Sequence, residues 1–167
     1  STQWFLNMEP LAKRAIGMVE DGTTRFVPKQ WENTYFSWMR NIRDWCISRQ
    51  RYFGVPFPVW YPINADGQPD YDRPIFAAVT KLPIDPLSDT PPGYDSSQRN
   101  VAGGFSGDPD VMDTWATSSM TPQIQSHWVT DPGRHETLFP MDIRPQSHEI
   151  IRTWAFYTIV KAWMHSN

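Results

Sequence analysis

A chain of 167 residues is long enough for one domain with a substantial core. Its net charge of −3, from 15 basic and 18 acidic residues, gives no bulk electrostatic case for nucleic acid or membrane, although a local basic groove stays open. The single cysteine, Cys46, excludes an internal disulfide and a cysteine-rich zinc site. His127, His135, His148 and His165 lack ligand spacing, so no metal site is expected.

In chain order, Gln3–Leu6 is a short extended entry, and Asn7 is placed to cap a helix whose first turn holds Glu9 and Pro10. Met8, Leu11, Ala12, Ala15, Ile16 and Val19 recur at helical spacing and define one apolar face, which Asp21-Gly22 ends. Arg25–Val27 reads as a brief strand. Trp31, Tyr35, Trp38, Met39 and Ile42 repeat the helical spacing and predict a helix from Gln30 to Arg43. Arg40, Arg43, Arg49 and Arg51 follow closely enough for a phosphate-facing patch or a solvated, salt-bridged face.

Gly54–Tyr61 resembles an edge strand, with prolines where ladder donors are not needed, and Asn64–Gly67 is a hairpin turn. From about Pro62 to Gly107 the chain is a long proline-stiffened excursion with one predicted strand at Ile75–Val79. Asp110–Trp115 has a buried-strand pattern running into Ala116–Ser119. A short helix is expected from Pro122 to Trp128, then a loop at Asp131-Pro132-Gly133. Leu138–Ile143 is predicted as a buried strand and Ile150–Trp163 as a helix apolar almost all round. Strands separated by helices predict an α/β fold with at least partly parallel pairing. The polar turn Gln146–Glu149 then lies where open α/β sheets bind ligands, at a helix N-terminus beyond a strand end.

Aromatic residues make up 14% of the chain and there are 16 prolines, about twice the usual share of roughly 5%. That suits either the core of a large protein or an aromatic-lined nucleic-acid surface. No charged-then-apolar leader precedes the first helix, and the apolar helix carries Arg152 and Lys161. Neither a secretory signal nor a membrane span is indicated, and the cytoplasm is expected. The chain opens without Met and closes soon after a buried-type helix, as expected of a piece of a longer protein.

Ser118, His148 and Asp113 form a triad on paper, but no G-x-S-x-G elbow presents the serine. Asp110 and Asp113 fall on opposite faces of an alternating strand, which weakens a joint acid–base role. Gly103, Gly104 and Gly107 lack the context of a phosphate-binding fingerprint. Glu149 is the best single candidate, as an acceptor for ribose hydroxyls or as an acidic residue favoured by a helix dipole.

Three blocks, PKQWENTYFSWMRNIRDWCISRQ (Pro28–Gln50), DVMDTWATSS (Asp110–Ser119) and DIRPQSHEIIRTW (Asp142–Trp154), resemble the valyl-tRNA synthetases, class I enzymes related to the isoleucyl and leucyl ones. The resemblance covers most of the chain outside Pro62–Gly107. It implies the second half of a Rossmann catalytic domain with the return leg of the connective peptide. Residues 1–61 are then the connective-peptide return with a helical core segment, 62–107 the irregular excursion, and 108–167 the Rossmann strand–helix unit. The family's HIGH and KMSKS motifs are absent, and no catalytic residue is expected here.

By resemblance, Trp115, Ile150 and Trp154 wall the valine pocket, while Ser147, His148 and Glu149 sit at the adenylate ribose, Ser147 standing where glycine is usual. Arg49 and Gln50 match in type without an assigned role. The parent is implied to be a monomeric, membrane-free enzyme acting on valine, ATP with Mg2+, and valine tRNA. An apolar pocket separates one methylene by only about 1–3 kcal/mol, a limit for which these branched-chain synthetases are the standard example. Threonine, isosteric with valine, then calls for a separate editing site. The competing readings are a non-catalytic RNA-binding or scaffold module, or the same region of an isoleucyl or leucyl enzyme.

Overall fold

The computed structural model describes residues 2–166. In chain order the elements begin with β1 (Phe5–Leu6), α1 (Met8–Glu20), α2 (Trp31–Met39), β2 (Trp45–Cys46), β3 (Ser48–Arg49) and β4 (Val59–Pro62). After β5 (Ile75–Phe76), β6 (Phe105–Gly107) and β7 (Val111–Met112) come α3 (Thr114–Ser118), α4 (Thr121–Gln125), α5 (Pro132–Leu138) and α6 (Phe156–Ser166). The mixture of helix and strand agrees with an α/β class. The chain forms two compact units, one of Phe5–Ile47 with the residues from Thr114 onward, the other of the N-terminal residues to Trp4 with Ser48–Asp113.

The helical unit is built on α1. Its predicted face is buried at Met8, Ala12, Ala15 and Val19, against Tyr35 and Met39 of α2 and Ile151, Phe156 and Val160 of the C-terminal helix. Each large apolar side chain fully removed from water there contributes about 1.5–3 kcal/mol. Asn7 occupies the N-cap position of α1 but makes no side-chain cap bond. Asp44 takes that role, its Oδ1 accepting from the Met8 N–H at 3.0 Å. Asp21 and Gly22, at φ 83°, end the helix as expected.

The predicted Gln30–Arg43 helix stops four residues early, because Asn41 caps it: its Nδ2 donates to Ser37 O at 2.9 Å. Arg25–Val27 forms no strand. The 121–138 region differs from expectation too. The helix expected from Pro122 to Trp128 ends at Gln125, and the expected Asp131-Pro132-Gly133 loop opens α5. Asp131 caps α5 by accepting from Arg134 N at 3.0 Å, and Pro132 sits at its first position, where no N–H is needed.

Leu138–Ile143 is not a strand. Leu138 ends α5, and the apolar run continues through Pro140, which has no N–H for a ladder. The apolar helix after it is composite: a 3-10 turn at His148–Ile150, a π-helical turn at Ile151–Ala155, then α6.

The second unit centres on a three-stranded sheet in the order β5-β4-β6, both ladders antiparallel. The expected edge strand is therefore the central one, and it starts at Val59 because Pro56 and Pro58 precede it. The Asn64–Gly67 turn forms as expected, Gly67 at φ 77° donating to Asn64 O at 3.1 Å. The Ile75–Val79 strand shortens to β5, and Asp110–Trp115 shortens to β7, which pairs antiparallel with β3. Among the described residues every ladder is antiparallel, and the parallel pairing expected from the element order is limited to an isolated bridge between Arg99 and Phe105.

The proline-rich excursion folds onto β4 through side chains in place of ladders. Trp60, 1% exposed, donates its indole N–H to Pro86 O at 3.1 Å and Asp89 O at 3.0 Å. Arg99 donates to the same two carbonyls at 2.8 and 2.5 Å and lies over Phe105. These bonds answer where an irregular segment's buried carbonyls find donors.

Candidate functional site

The polar turn and the composite helix carry five of the six residues singled out from the sequence. Ser147 caps the 3-10 turn, its Oγ accepting from Glu149 N at 3.4 Å. Ser147, His148 and Glu149 are all exposed, and residues 139–146, which lead into them, form no strand. The His148 ring stacks on Trp31 of α2, centroids 4.9 Å apart and planes 13° apart. Ile150 closes the 3-10 turn and is half-buried.

Trp154 lies in the π-helical turn, a feature frequent at functional sites. Its indole N–H donates to Ser118 O at 3.1 Å. Ser118 ends α3, the helix whose second residue is Trp115, 40% exposed. Trp115 and Trp154 are thus carried on elements joined by a hydrogen bond.

Sequence reasoning missed Arg144. Its guanidinium carbon sits 4.0 Å from the centroid of Trp154. A desolvated cation over an indole face is worth about 2 kcal/mol or more. Burial pulls the Arg144 pKa below the usual arginine value, and its Nε and Nη2 are buried without a hydrogen-bond partner. An arginine ten residues before a tryptophan has no periodic relation to it, so the sequence carried no signal for the pair.

Arg144 also lines a groove of about 1440 Å³ bordered by Trp31, Phe36, Ser147, His148 and Thr158. Trp115, Ile150, Trp154 and Glu149 do not line it. Thr158 Oγ1 and Gln146 Oε1, on that same groove, are buried and unpartnered.

The other candidates resolve into structural roles. Ser118 Oγ donates to Trp115 O at 3.4 Å, His148 stacks on Trp31 and Asp113 accepts from Arg49, so each of the three has another partner. In the sheet unit, Arg49 Nη2 meets Asp113 Oδ2 at 2.6 Å and Gln50 Nε2 donates to Asp110 Oδ2 at 2.7 Å. These bonds flank the β3–β7 ladder and give Arg49 and Gln50 a bracing role. Asp108, 4% exposed, accepts from Trp4 Nε1 and Tyr61 OH, both at 2.7 Å. Arg40 pairs with Glu20 at 3.9 Å and lies over Phe36, which suits a salt-bridged face. Among the described residues no group of three or more His, Cys, Asp or Glu is placed to hold a metal ion, and no helix is long and apolar enough to cross a membrane.

Comparison with known proteins adds the relationship. The family model for tRNA synthetases class I (I, L, M and V) matches residues 1–166. The valine–tRNA ligase of Cutibacterium acnes is 54% identical over 142 residues, covering 84% of this chain and 16% of that protein. The valine–tRNA ligase of Thermobifida fusca is 54% identical over 164 residues, covering 96% and 18%, and that of Rickettsia conorii 49% over 177 residues, covering 99% and 20%. The chain thus spans a fifth or less of the length of the curated relatives it matches. With the whole described chain inside that family model, it belongs to the class I tRNA synthetases of the isoleucine, leucine, methionine and valine group.

Proposed function

We propose that this chain is part of the catalytic domain of a valine–tRNA ligase, an enzyme that activates valine with ATP to valyl-adenylate and transfers it to valine tRNA. The observation that carries the reading is the 49–55% identity to proteins named valine–tRNA ligase, over alignments that cover most of the chain. Within it, residues 1–61 are the return of the connective peptide with a helical core segment, 62–107 an inserted excursion and 108–167 the second half of the Rossmann domain.

In this reading Trp115, Ile150 and Trp154 wall the valine side chain, and the turn Ser147-His148-Glu149 faces the adenylate ribose. The hydrogen bond from Trp154 to the end of α3 supports the first assignment. Rigid indole walls make room for a branched side chain of three carbons and meet one more methylene with overlap, which excludes isoleucine. Exposed Glu149 is free to accept from ribose hydroxyls. ATP arrives with Mg2+, whose charge screens the phosphates; no residue of this chain is assigned to the ion, and adenylate chemistry depends on groups outside this sequence.

The test is valine-dependent ATP–pyrophosphate exchange by the intact enzyme carrying Trp115→Ala or Trp154→Ala. Each variant is expected to lower kcat/KM for valine by tenfold or more, about 1.4 kcal/mol of lost binding. Wild-type exchange in both variants contradicts the pocket assignment.

A further inference from the structure

We propose that Arg144 is a positioning residue that sets the plane of Trp154 as a wall of the amino-acid pocket, an inference that rests on the pocket reading above. Trp154 is held at two points. Its edge is fixed by the indole N–H on Ser118 O at 3.1 Å, and its face by the Arg144 guanidinium at 4.0 Å. A single hydrogen bond at the indole nitrogen leaves the ring free to rock about that bond. A planar cation lying over the face restricts that freedom, which lysine, a point charge on a flexible stem, does much less well.

The backbone around the ring makes such a second restraint necessary. Trp154 sits in a π-helical turn between a 3-10 turn and α6, so the regular i→i−4 bonding that would fix a side chain's direction changes twice within eight residues. Arg144 reaches the ring from the irregular stretch before the turn, outside the helix. Its position does not follow the helix's winding. The two restraints come from different chain segments, and together they leave one orientation of the indole.

The consequence is selectivity. A wall held in one plane excludes the extra methylene of isoleucine by overlap, while a wall free to tilt yields to it. Loss of Arg144 therefore loosens valine binding and, more tellingly, lowers discrimination against isoleucine. The rate of the chemical step in bound substrate stays, because the guanidinium acts through Trp154.

The experiment is amino-acid-dependent ATP–pyrophosphate exchange by the intact enzyme carrying Arg144→Met, Arg144→Lys, Trp154→Ala and the Arg144→Met/Trp154→Ala pair. Arg144→Met is expected to raise the valine KM about tenfold, somewhat less than one desolvated cation–π contact is worth, with kcat held and the valine-to-isoleucine ratio reduced. Arg144→Lys recovers part of both. In the Trp154→Ala background, Arg144→Met adds nothing further. KM and the selectivity ratio do not depend on the fraction of active enzyme, so a partly unfolded variant still reports. A loss of kcat alone, with KM and selectivity unchanged, marks Arg144 as merely structural and overturns the inference. So does a full second rise in KM in the Trp154→Ala background. A damaging Trp154→Ala beside a silent Arg144→Met removes the inference and leaves the pocket reading intact; a silent Trp154→Ala removes both.

Discussion

At the level of single residues, the start of α1 separates propensity from tertiary structure. Asn7 is among the best N-cap residues and stands in the right place, yet the bond that satisfies Met8 N–H comes from Asp44, 36 residues away. Asp44→Ala should cost about 1 kcal/mol in urea unfolding, whereas Asn7→Ala should cost clearly less. Equal losses would contradict the assignment. Arg49 offers a second case. Its partner Asp113 has a side chain only 5% exposed, while Arg49 itself is 35% exposed. Arg49→Met should destabilise the chain by about 1.5 kcal/mol, the low end for a hydrogen bond to a charged group because the arginine is partly solvated. Arg49→Lys should recover some of that in the same unfolding experiment. Neither Asp44 nor Arg49 could be paired from sequence, because the partners lie 36 and 64 residues away with no shared period.

For whole elements, periodicity served well where a helix had one face to bury and failed where turns and caps decide. The α1 face was legible because Met8, Ala12, Ala15 and Val19 obey a single spacing and all four are buried. The end of α2 was not, because Asn41 closes it before the apolar pattern runs out. Leu138–Ile143 reads as a strand by composition alone. Asp131 and Pro132, which start α5 just before it, were visible in the sequence, but a Pro-Gly pair also suits a loop. The prolines ahead of β4 suggested an edge, yet they lie before the strand and leave its own ladders intact on both sides.

The excursion between Pro62 and Gly107 makes a further prediction at this scale. A Cβ added at Gly107 would lie 2.3 Å from Pro86 O, a carbonyl already held by Trp60 and Arg99. That carbonyl cannot retreat without breaking both bonds. Gly107→Ala should therefore lower stability by about 3 kcal/mol, the upper end for overpacking. An unchanged urea midpoint would show that the excursion does not pack on β6 in this way.

For the molecule as a whole, the candidate site was legible only through resemblance. Composition and spacing marked Glu149 and the apolar helix, but Trp115 and Trp154 looked like ordinary core aromatics until the three blocks were taken together. The family model then encloses the chain, and the relatives share about half its residues. Arg144 lay beyond both kinds of reading. It contacts Trp154 through the path of an irregular segment, and no pattern of residues encodes that path in advance.

The central claim is that these residues build a pocket sized for valine. The measurement that tests it most directly is ATP–pyrophosphate exchange by the intact wild-type enzyme with valine, threonine and isoleucine compared at matched concentrations. A pocket of that size gives the highest kcat/KM for valine, measurable exchange with threonine because a hydroxyl in place of a methyl does not change its shape, and the weakest with isoleucine, which overfills the space between the indoles. Exchange with isoleucine equal to or above that with valine would contradict it.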